Sequence, residues 1–485
     1  MHRDDFIGTL SRMRNVSASI VCILGMLGAS TAWTVPCSAQ NTLPTATAGQ
    51  IDAAAAKVLS STGVPSASVA VVQDGKVAYV KAYGKARLEP AMAAEPSMQY
   101  SIGSVSKQFT AAIILFLVQE GKLTLDDPVA KYLPDLTRAK EVTIRQVLSM
   151  TSGYQDFWPE DYVMTSMMKS TTPQHILDVW AKKPLDFDPG TQWQYSNTNY
   201  VIAGQIAEIV GGKPLIDQLQ ERIFRPLKMT GVLNSDASRL PPNDPTGYYQ
   251  HALGPLRPAP LAGTGWMFAA GELAMPASDL ALWNISLINR SLLSPASYDA
   301  MFAEVHLKDG KGTGYGLGVE VGAWNGHRYV SHSGEVSGFV SQNTVFPAEK
   351  IAVTVLTNQD ASGAAATLAQ QIESIVISGS DDAGTKSAEA RALAIFTGLQ
   401  DGKIDRSQLT AFCSDYFTQE ALDDFAKSLT PLGPPIHFTQ VGSRQRGGMT
   451  QRRFKADFPG KSLTISVFEE PDGKLEQYLV IASNN

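Results

Sequence analysis

Strand-forming sequence stands at both ends of a long helical stretch, and that order constrains the fold more than any other feature of the chain. The segment "VPSASVAVVQDGKVAYVKAYGKA" holds two β-rich runs around Asp74-Gly75. A two-residue Asp-Gly loop is a strong hairpin signal. From about residue 104 to 300 the pattern reads mostly as helices and loops. "SKQFTAAIILFLVQEGKL" predicts a buried helix ending near Gly121, and "NYVIAGQIAEIVGG" predicts another stopped by Gly211-Gly212. Strands return from Gly312: "GTGYGLGVEVGAW", the Asn325-Gly326 turn, "HRYVSHSG", "GFVSQNTVF" and "KIAVTVLTN". Their spacing predicts an antiparallel meander, and a helix follows over about Gly363 to Val376. The simplest assembly joins the first hairpin and the late strands in one antiparallel sheet. Helices cover its faces, and a helical lobe is inserted between its two halves. The expected fold class is α/β (α+β).

"SGSDDAGTK" is a polar, Gly-containing linker, placed at 379–386. The pattern then restarts, with helices over about Ala388 to Leu399 and Thr418 to Ser428. Four strand-like runs follow, the last two joined at Asp472-Gly473. Residues 387–485 are therefore expected to form a separate small α+β domain. It carries Arg444, Arg446, Arg452 and Arg453. These offer an anionic-ligand patch or, more simply, a solvated hairpin with charges on its exposed faces.

The N-terminus reads as an export signal over residues 1–39. Arg12 and Arg14 precede an apolar run from Val16 to about Trp33, and small residues lead to a cut after Ala39. A cut after Ala32 and a start at Met13 are alternatives, and the run is short for a membrane anchor. This predicts a periplasmic or secreted protein with no stable membrane span after cleavage. Of Cys22, Cys37 and Cys413, only Cys413 would remain, so no disulfide framework is expected. Cys413 itself reads as a buried apolar filler. The seven histidines are scattered, and no metal-binding spacing occurs, so neither a catalytic metal nor a cofactor is expected. A formal net charge of -6 gives no reason to expect nucleic acid as a partner. The sequence leaves the oligomeric state open.

Three short motifs could carry chemistry. The first is Ser104-Val105-Ser106-Lys107. On a helix, positions three apart share a face, so Ser104 and Lys107 could touch. Ser104 would sit at a helix N-terminus, where backbone N–H groups favour negative charge. Lys107 would enter apolar surroundings beside Phe109, Ile113 and Ile114, and burial lowers a lysine pKa. Such a lysine can help strip a proton from a serine; alone, the pattern equally suits a decorated helix start. The second is Tyr195-Ser196-Asn197. A nearby lysine would favour the Tyr195 phenolate and make it a base. The Asn197 amide could hold a substrate carbonyl and orient Lys107; a core tyrosine beside a capping asparagine is the plainer reading. The third is His332-Ser333-Gly334, on a strand edge where a glycine lets a substrate backbone approach. The N–H groups of Glu335 and Ser104 could then form an oxyanion hole.

Ser-x-x-Lys, Tyr-x-Asn and His-x-Gly in this order resemble the motifs of the serine β-lactamase and penicillin-binding-protein superfamily. The tyrosine is similar to that of the class C β-lactamase branch, which also contains DD-carboxypeptidases, D-aminopeptidases and β-lactamase-like esterases. "GKLTLDDPVAKYLP", "VTIRQVLSMTSG", "FDPGTQWQYSN" and "RPLKMTG" extend the resemblance over about residues 50 to 376. It implies a β-lactamase/transpeptidase-like fold over 40–378, with Ser104 as nucleophile, Lys107 as its partner and Tyr195 as a base. It implies a binding strand at His332, Ser333, Gly334 and Glu335. The implied partners are small-molecule esters, β-lactams or D-peptides.

Three departures narrow that expectation. His332 stands where class C enzymes carry the lysine of Lys-Thr-Gly, which weakens the case for an efficient β-lactamase and favours an esterase, amidase or peptidase. Met150 replaces a frequent histidine and reads as a packing change. Glu335 replaces a frequent glycine and adds negative charge that would disfavour anionic substrates. The leading expectation is a serine hydrolase cleaving an ester or amide through a Ser104 acyl-enzyme. D-peptide hydrolysis, β-lactam hydrolysis and a non-turnover penicillin sensor are the alternatives. Ser106 as nucleophile, or a Ser-His-Asp hydrolase, ranks below these; no G-x-S-x-G elbow occurs.

Overall fold

The computed structural model describes residues 42–160, 162–377, 383–446 and 449–482. The export signal expected over residues 1–39 and the first part of the linker at 379–386 lie outside the described residues.

The first strand, β1 (Ser66–Gln73), alternates between two cores. Ala67, Val69 and Val71 enter one apolar cluster, while Ala70 and Val72 enter another on the opposite face. Side chains alternate along a strand, so a strand apolar on both faces must be central. β2 (Lys76–Arg87) returns from the Asp74-Gly75 turn, and β3 (Met92–Ala93) follows at the edge. The late strands are β4 (Glu320–Trp324), β5 (His327–Val336), β6 (Phe339–Phe346) and β7 (Ile351–Thr357). They form one seven-stranded sheet in the order β3-β2-β1-β7-β6-β5-β4, every neighbouring pair antiparallel. The first hairpin thus joins the late meander through the β1–β7 pair, as the sequence order predicts. β7 repeats the division seen in β1, with Ile351, Val353 and Val355 on one face and Ala352 and Leu356 on the other.

One face is covered by α1 (Thr45–Thr62) and by the late helix Ala364–Ile377. The other carries the inserted lobe, including Ser106–Gln119, Asn197–Gly211 and Ala277–Asn289. In Ser106–Gln119 every residue from Ser106 to Leu115 is buried. A helix apolar on all sides belongs in the middle of a domain rather than on its surface. Asn197–Gly211 ends where expected, with Gly212 in the left-handed conformation and its N–H returned to Glu208 O.

One expected strand is shorter than its sequence suggests. In "GTGYGLGVEVGAW" only Glu320–Trp324 is extended. Gly314 and Gly318 take left-handed backbone, which interrupts a strand, and Gly318 sits against the Lys107 carbonyl.

Beyond the linker, helices Ala383–Gln400 and Gln419–Leu429 precede four strands, His437–Arg446, Met449–Phe458, Lys461–Glu469 and Leu475–Ala482. The strands make a meander, and with the helices they enclose a third apolar cluster around Phe396, Phe417, Phe454 and Ile465. Cys413 is buried in that cluster, and burial pushes its thiol up to about 11. Arg452 is committed to Glu469 and to the Gln440 side chain, which takes one arginine away from the anion-patch alternative. No helix among the described residues is long and apolar enough to cross a membrane.

Candidate active site

Gly103–Val105 makes a single 3₁₀ turn that runs directly into the helix Ser106–Gln119. Ser104 therefore lies just ahead of the helix, and Lys107 lies in its first turn. Lys107 Nζ donates to Ser104 Oγ, Asn197 Oδ1 and Ala270 O, each at 2.8 Å. Three acceptors suit an ammonium's three N–H groups. Yet the side chain is completely buried, and desolvation pushes its pKa down to about 7 against the pull of Asp156. Near neutral pH the amine and the ammonium are thus comparably populated, and the neutral form has a lone pair to offer Ser104.

Asn197 is the first residue of the helix Asn197–Gly211, and Ser196 before it makes no side-chain cap. Asp156 takes that place. Its Oδ1 accepts the Asn197 backbone N–H at 2.9 Å, and its Oδ2 accepts the Asn197 amide at 3.3 Å. A carboxylate satisfies helix-terminal donors well, and here it also turns the Asn197 carbonyl oxygen toward Lys107. Met150 holds the preceding loop in two ways. Its carbonyl accepts Gln194 N–H at 3.0 Å, and its sulfur accepts Ser196 N–H at 3.5 Å. Met150 therefore does more than fill space.

Tyr195 comes to the same place, with Lys107 Nζ 5.0 Å from its ring centre. Its hydroxyl is buried without a hydrogen-bond partner; Ser104 lies near enough to favour the phenolate but outside bonding geometry. Burial prevails and raises the phenol above its ordinary value. The expectation that the lysine makes Tyr195 a phenolate base is thus not met in the resting site. The charges of Asp156 and Glu320 act in the same direction as the burial.

His332 is buried on β5. Its Nδ1 donates to Ser333 O at 2.5 Å, which leaves Nε2 to accept the Tyr315 hydroxyl at 2.8 Å. Burial, with the Lys107 charge beside it, pushes His332 down to about 3, so it is neutral at physiological pH. Gly334 also meets a need within the chain itself. A Cβ there would lie 2.0 Å from the Ile102 carbonyl oxygen, so the close approach is to the chain's own backbone. Gly103, with φ of +51°, makes the reciprocal approach: a Cβ on it would meet Glu335 N at 2.8 Å. These two glycines bring the backbones of Ser104 and Glu335 together. Glu335 Oε1 accepts the Ala361 N–H at 2.7 Å.

A cavity of about 560 Å³ opens over this cluster, lined by Ser104, Tyr195, Asn197, His332, Ser333 and Glu335. The sequence motifs did not point to several of its walls. Asp156, Glu160 and Glu320 add carboxylates, and Trp158 and Trp266 add aromatic surface. No arginine or lysine lines it among the described residues. Glu160 Oε2 is buried without a hydrogen-bond partner. The run "YQDFWPE" after "LSMTSG" packs two acids among aromatics, and that clustering was the available signal.

The family model described as Beta-lactamase matches residues 51–376. The chain belongs to that family. It is 28% identical over 319 residues to the protein named Protein flp of Staphylococcus aureus, covering 64% of this chain and 62% of that one. It is 30% identical over 297 residues to a D-aminopeptidase of Brucella anthropi, covering 61% and 56%. The chain thus spans less than two thirds of the length of these relatives. Among solved structures, a D-stereospecific amidohydrolase from Streptomyces superposes with a TM-score of 0.58 at 27% identity, covering 67% of this chain and 97% of that one. These likenesses fit the serine hydrolase superfamily to which the motifs point.

Proposed function

We propose that this Beta-lactamase-family protein is a serine amidase or aminopeptidase, acting on amide bonds next to a free amine. The observation that carries the reading is Lys107, completely buried and hydrogen-bonded to Ser104 Oγ. The neutral lysine takes the Ser104 proton as Oγ attacks the carbonyl. The oxyanion that forms faces the backbone N–H groups of Ser104 and Glu335. Tyr195, a neutral phenol, donates a proton to the leaving nitrogen and recovers one from the Lys107 ammonium. Water then attacks the acyl-enzyme and gives its proton to Lys107, which passes it to Ser104 Oγ as the acyl–oxygen bond breaks, restoring the serine and the neutral lysine.

Three features support an amine-bearing substrate. The carboxylates lining the cavity favour a cation, and the unpartnered Glu160 oxygen can accept an ammonium N–H. Neutral His332 offers no cation to a substrate carboxylate beside the nucleophile, which argues against efficient β-lactam hydrolysis. The names of the relatives support a D-configured acyl group. The aromatic wall suits an apolar side chain. Secretion, with a mature chain starting at Gln40, belongs to the same proposal.

The test compares D-alanine p-nitroanilide with its N-acetylated form, following turnover and covalent mass on Ser104. Loss of at least a hundredfold in kcat/KM on acetylation is expected, with no adduct in Ser104→Ala. Equal turnover of the acetylated substrate overturns the amine reading, and turnover by Ser104→Ala overturns the nucleophile. N-terminal sequencing of the exported protein tests the start at Gln40.

A further inference from the structure

A second cavity of about 550 Å³ adjoins the first, and Trp158, Met267, Val336 and Ser337 line both. The two spaces are therefore separated by a shared wall, not by a layer of core. They differ in charge. Among the described residues the first is lined by four carboxylates and by no arginine or lysine. The charged residues lining the second are Asp236 and Arg239. Asp236 is occupied by the protein itself: Oδ1 accepts the N–H groups of Gly265 and Met267 at 3.0 and 3.1 Å, and Oδ2 accepts Gly265 N–H at 2.9 Å. Arg239 is exposed, and no carboxylate pairs with it among the described residues. The second cavity thus offers an uncommitted guanidinium, and Ser170, Ser238 and Thr246 line the same cavity.

We propose that this second cavity is the leaving-group subsite, and that Arg239 takes the carboxylate end of a short peptide. The inference rests on the amine reading of the first cavity. With the substrate's ammonium held by the carboxylates near Ser104, the chain beyond the scissile bond must leave that cavity, and the adjoining one is the neighbouring space. Each extended residue spans about 3.3–3.6 Å, so a leaving group of one to three residues varies the reach in steps. A peptide with both ends free is a dipole, and the two cavities are complementary to it. Guanidinium and carboxylate form a bidentate, charge-assisted pair, which fixes direction as well as adding affinity. The substrate class that follows is a short peptide with a free amine and a free carboxylate, shortened from its amine end.

The experiment measures binding by calorimetry, so that it does not depend on turnover. Ser104→Ala protein is titrated with D-Ala-D-Ala-D-Ala and with the same peptide as its C-terminal amide. The free acid is expected to bind roughly tenfold tighter, the lower end of what a charge-assisted contact supplies. Adding Arg239→Gln, an exposed change, should erase that preference and leave the affinity for the amide unaltered. In the active enzyme, Arg239→Gln should raise KM for the tripeptide and leave D-alanine p-nitroanilide, which has no carboxylate, unchanged. A preference that survives Arg239→Gln, or no preference at all, means a solvated arginine only and overturns the proposal. Failure of the amine reading appears separately, as indifference to N-acetylation.

Discussion

Replacing Lys107 with methionine should abolish acylation and yet change stability in a direction that depends on pH. The reasoning starts from the burial of a group whose ordinary pKa is 10.5 and whose folded value is about 7. Between those values the unfolded chain binds more protons than the folded one, so native stability rises with pH across that window. At 1.36 kcal/mol per unit, the buried lysine costs about 4 kcal/mol at pH 7 and about 1.5 kcal/mol at pH 9.5. Methionine removes that cost but leaves Ser104 Oγ, Asn197 Oδ1 and Ala270 O without their shared donor. Stranded acceptors cost about 1–3 kcal/mol each, largely independent of pH. The absolute difference between the two proteins therefore depends on how well the site relaxes, whereas its change with pH does not. From pH 7 to 9.5 the wild type should gain about 3 kcal/mol on Lys107→Met. Urea unfolding followed by tryptophan fluorescence reads this out cleanly, because every tryptophan after Trp33 lies between Trp158 and Trp324. The signal therefore reports the sheet and its lobe and not residues 387–485. A gap that shifts by less than about 1 kcal/mol would refute the depressed lysine.

Four further outcomes are expected. The kcat/KM profile should rise about tenfold per pH unit below about 7 and fall above about 8 as the substrate's α-amine loses its proton, with no further break from Tyr195 before pH ~10; a flat profile from pH 5 to 9.5 contradicts Lys107 as the base. Asp156→Asn should lower kcat/KM by roughly ten- to a hundredfold by misaligning Asn197. Because Asp156 raises the Lys107 pKa, the same change should move the rising limb to lower pH; an unmoved limb would show that the carboxylate does not act on the lysine. Gly103→Ala places a Cβ 2.8 Å from Glu335 N in left-handed backbone, and should reduce acylation about 10²–10³-fold in a protein with unchanged circular dichroism. Residues 387–485 expressed alone should unfold cooperatively in urea, since their helices and strands enclose a core of their own; a featureless unfolding curve argues against a separable domain.

The sequence carried the sheet because period-2 alternation and Asp-Gly and Asn-Gly turns are local signals. Val69 and Ala70 point to opposite cores for no reason beyond the strand repeat. Ser104, Lys107, Tyr195 and Asn197 were legible because their motifs together resemble those of a known family, and the fold brings Ser104, Tyr195 and Asn197 to one cavity with Lys107 hydrogen-bonded to two of them. The failures have a common cause. Gly334 was read only as room for a substrate, and nothing local showed that the Ile102 carbonyl, from a distant segment, needs that room too. Tyr195 was read as an activated phenolate, but desolvation depends on everything packed around it. Asp156 and Glu160 stand close to a recognisable motif, yet nothing local shows that one caps a helix starting at Asn197 and the other keeps a bare oxygen. Arg239 carries no sequence signal at all, because what distinguishes it is that Asp236, three residues away, is taken by backbone N–H groups and no other carboxylate pairs with it among the described residues.

The paired glycines at 103 and 334 also govern when the site exists. Ser104 is made early in the chain, but the strand that lies against it runs from His327 to Val336 and is clamped by β6 and β7. Until residue 357 has been synthesised and paired, Ser104 has no opposing backbone. A partly made chain is therefore inert toward acylating reagents. Covalent labelling of Ser104 then acts as a clock, counting the molecules in which the two ends of the sheet have already met.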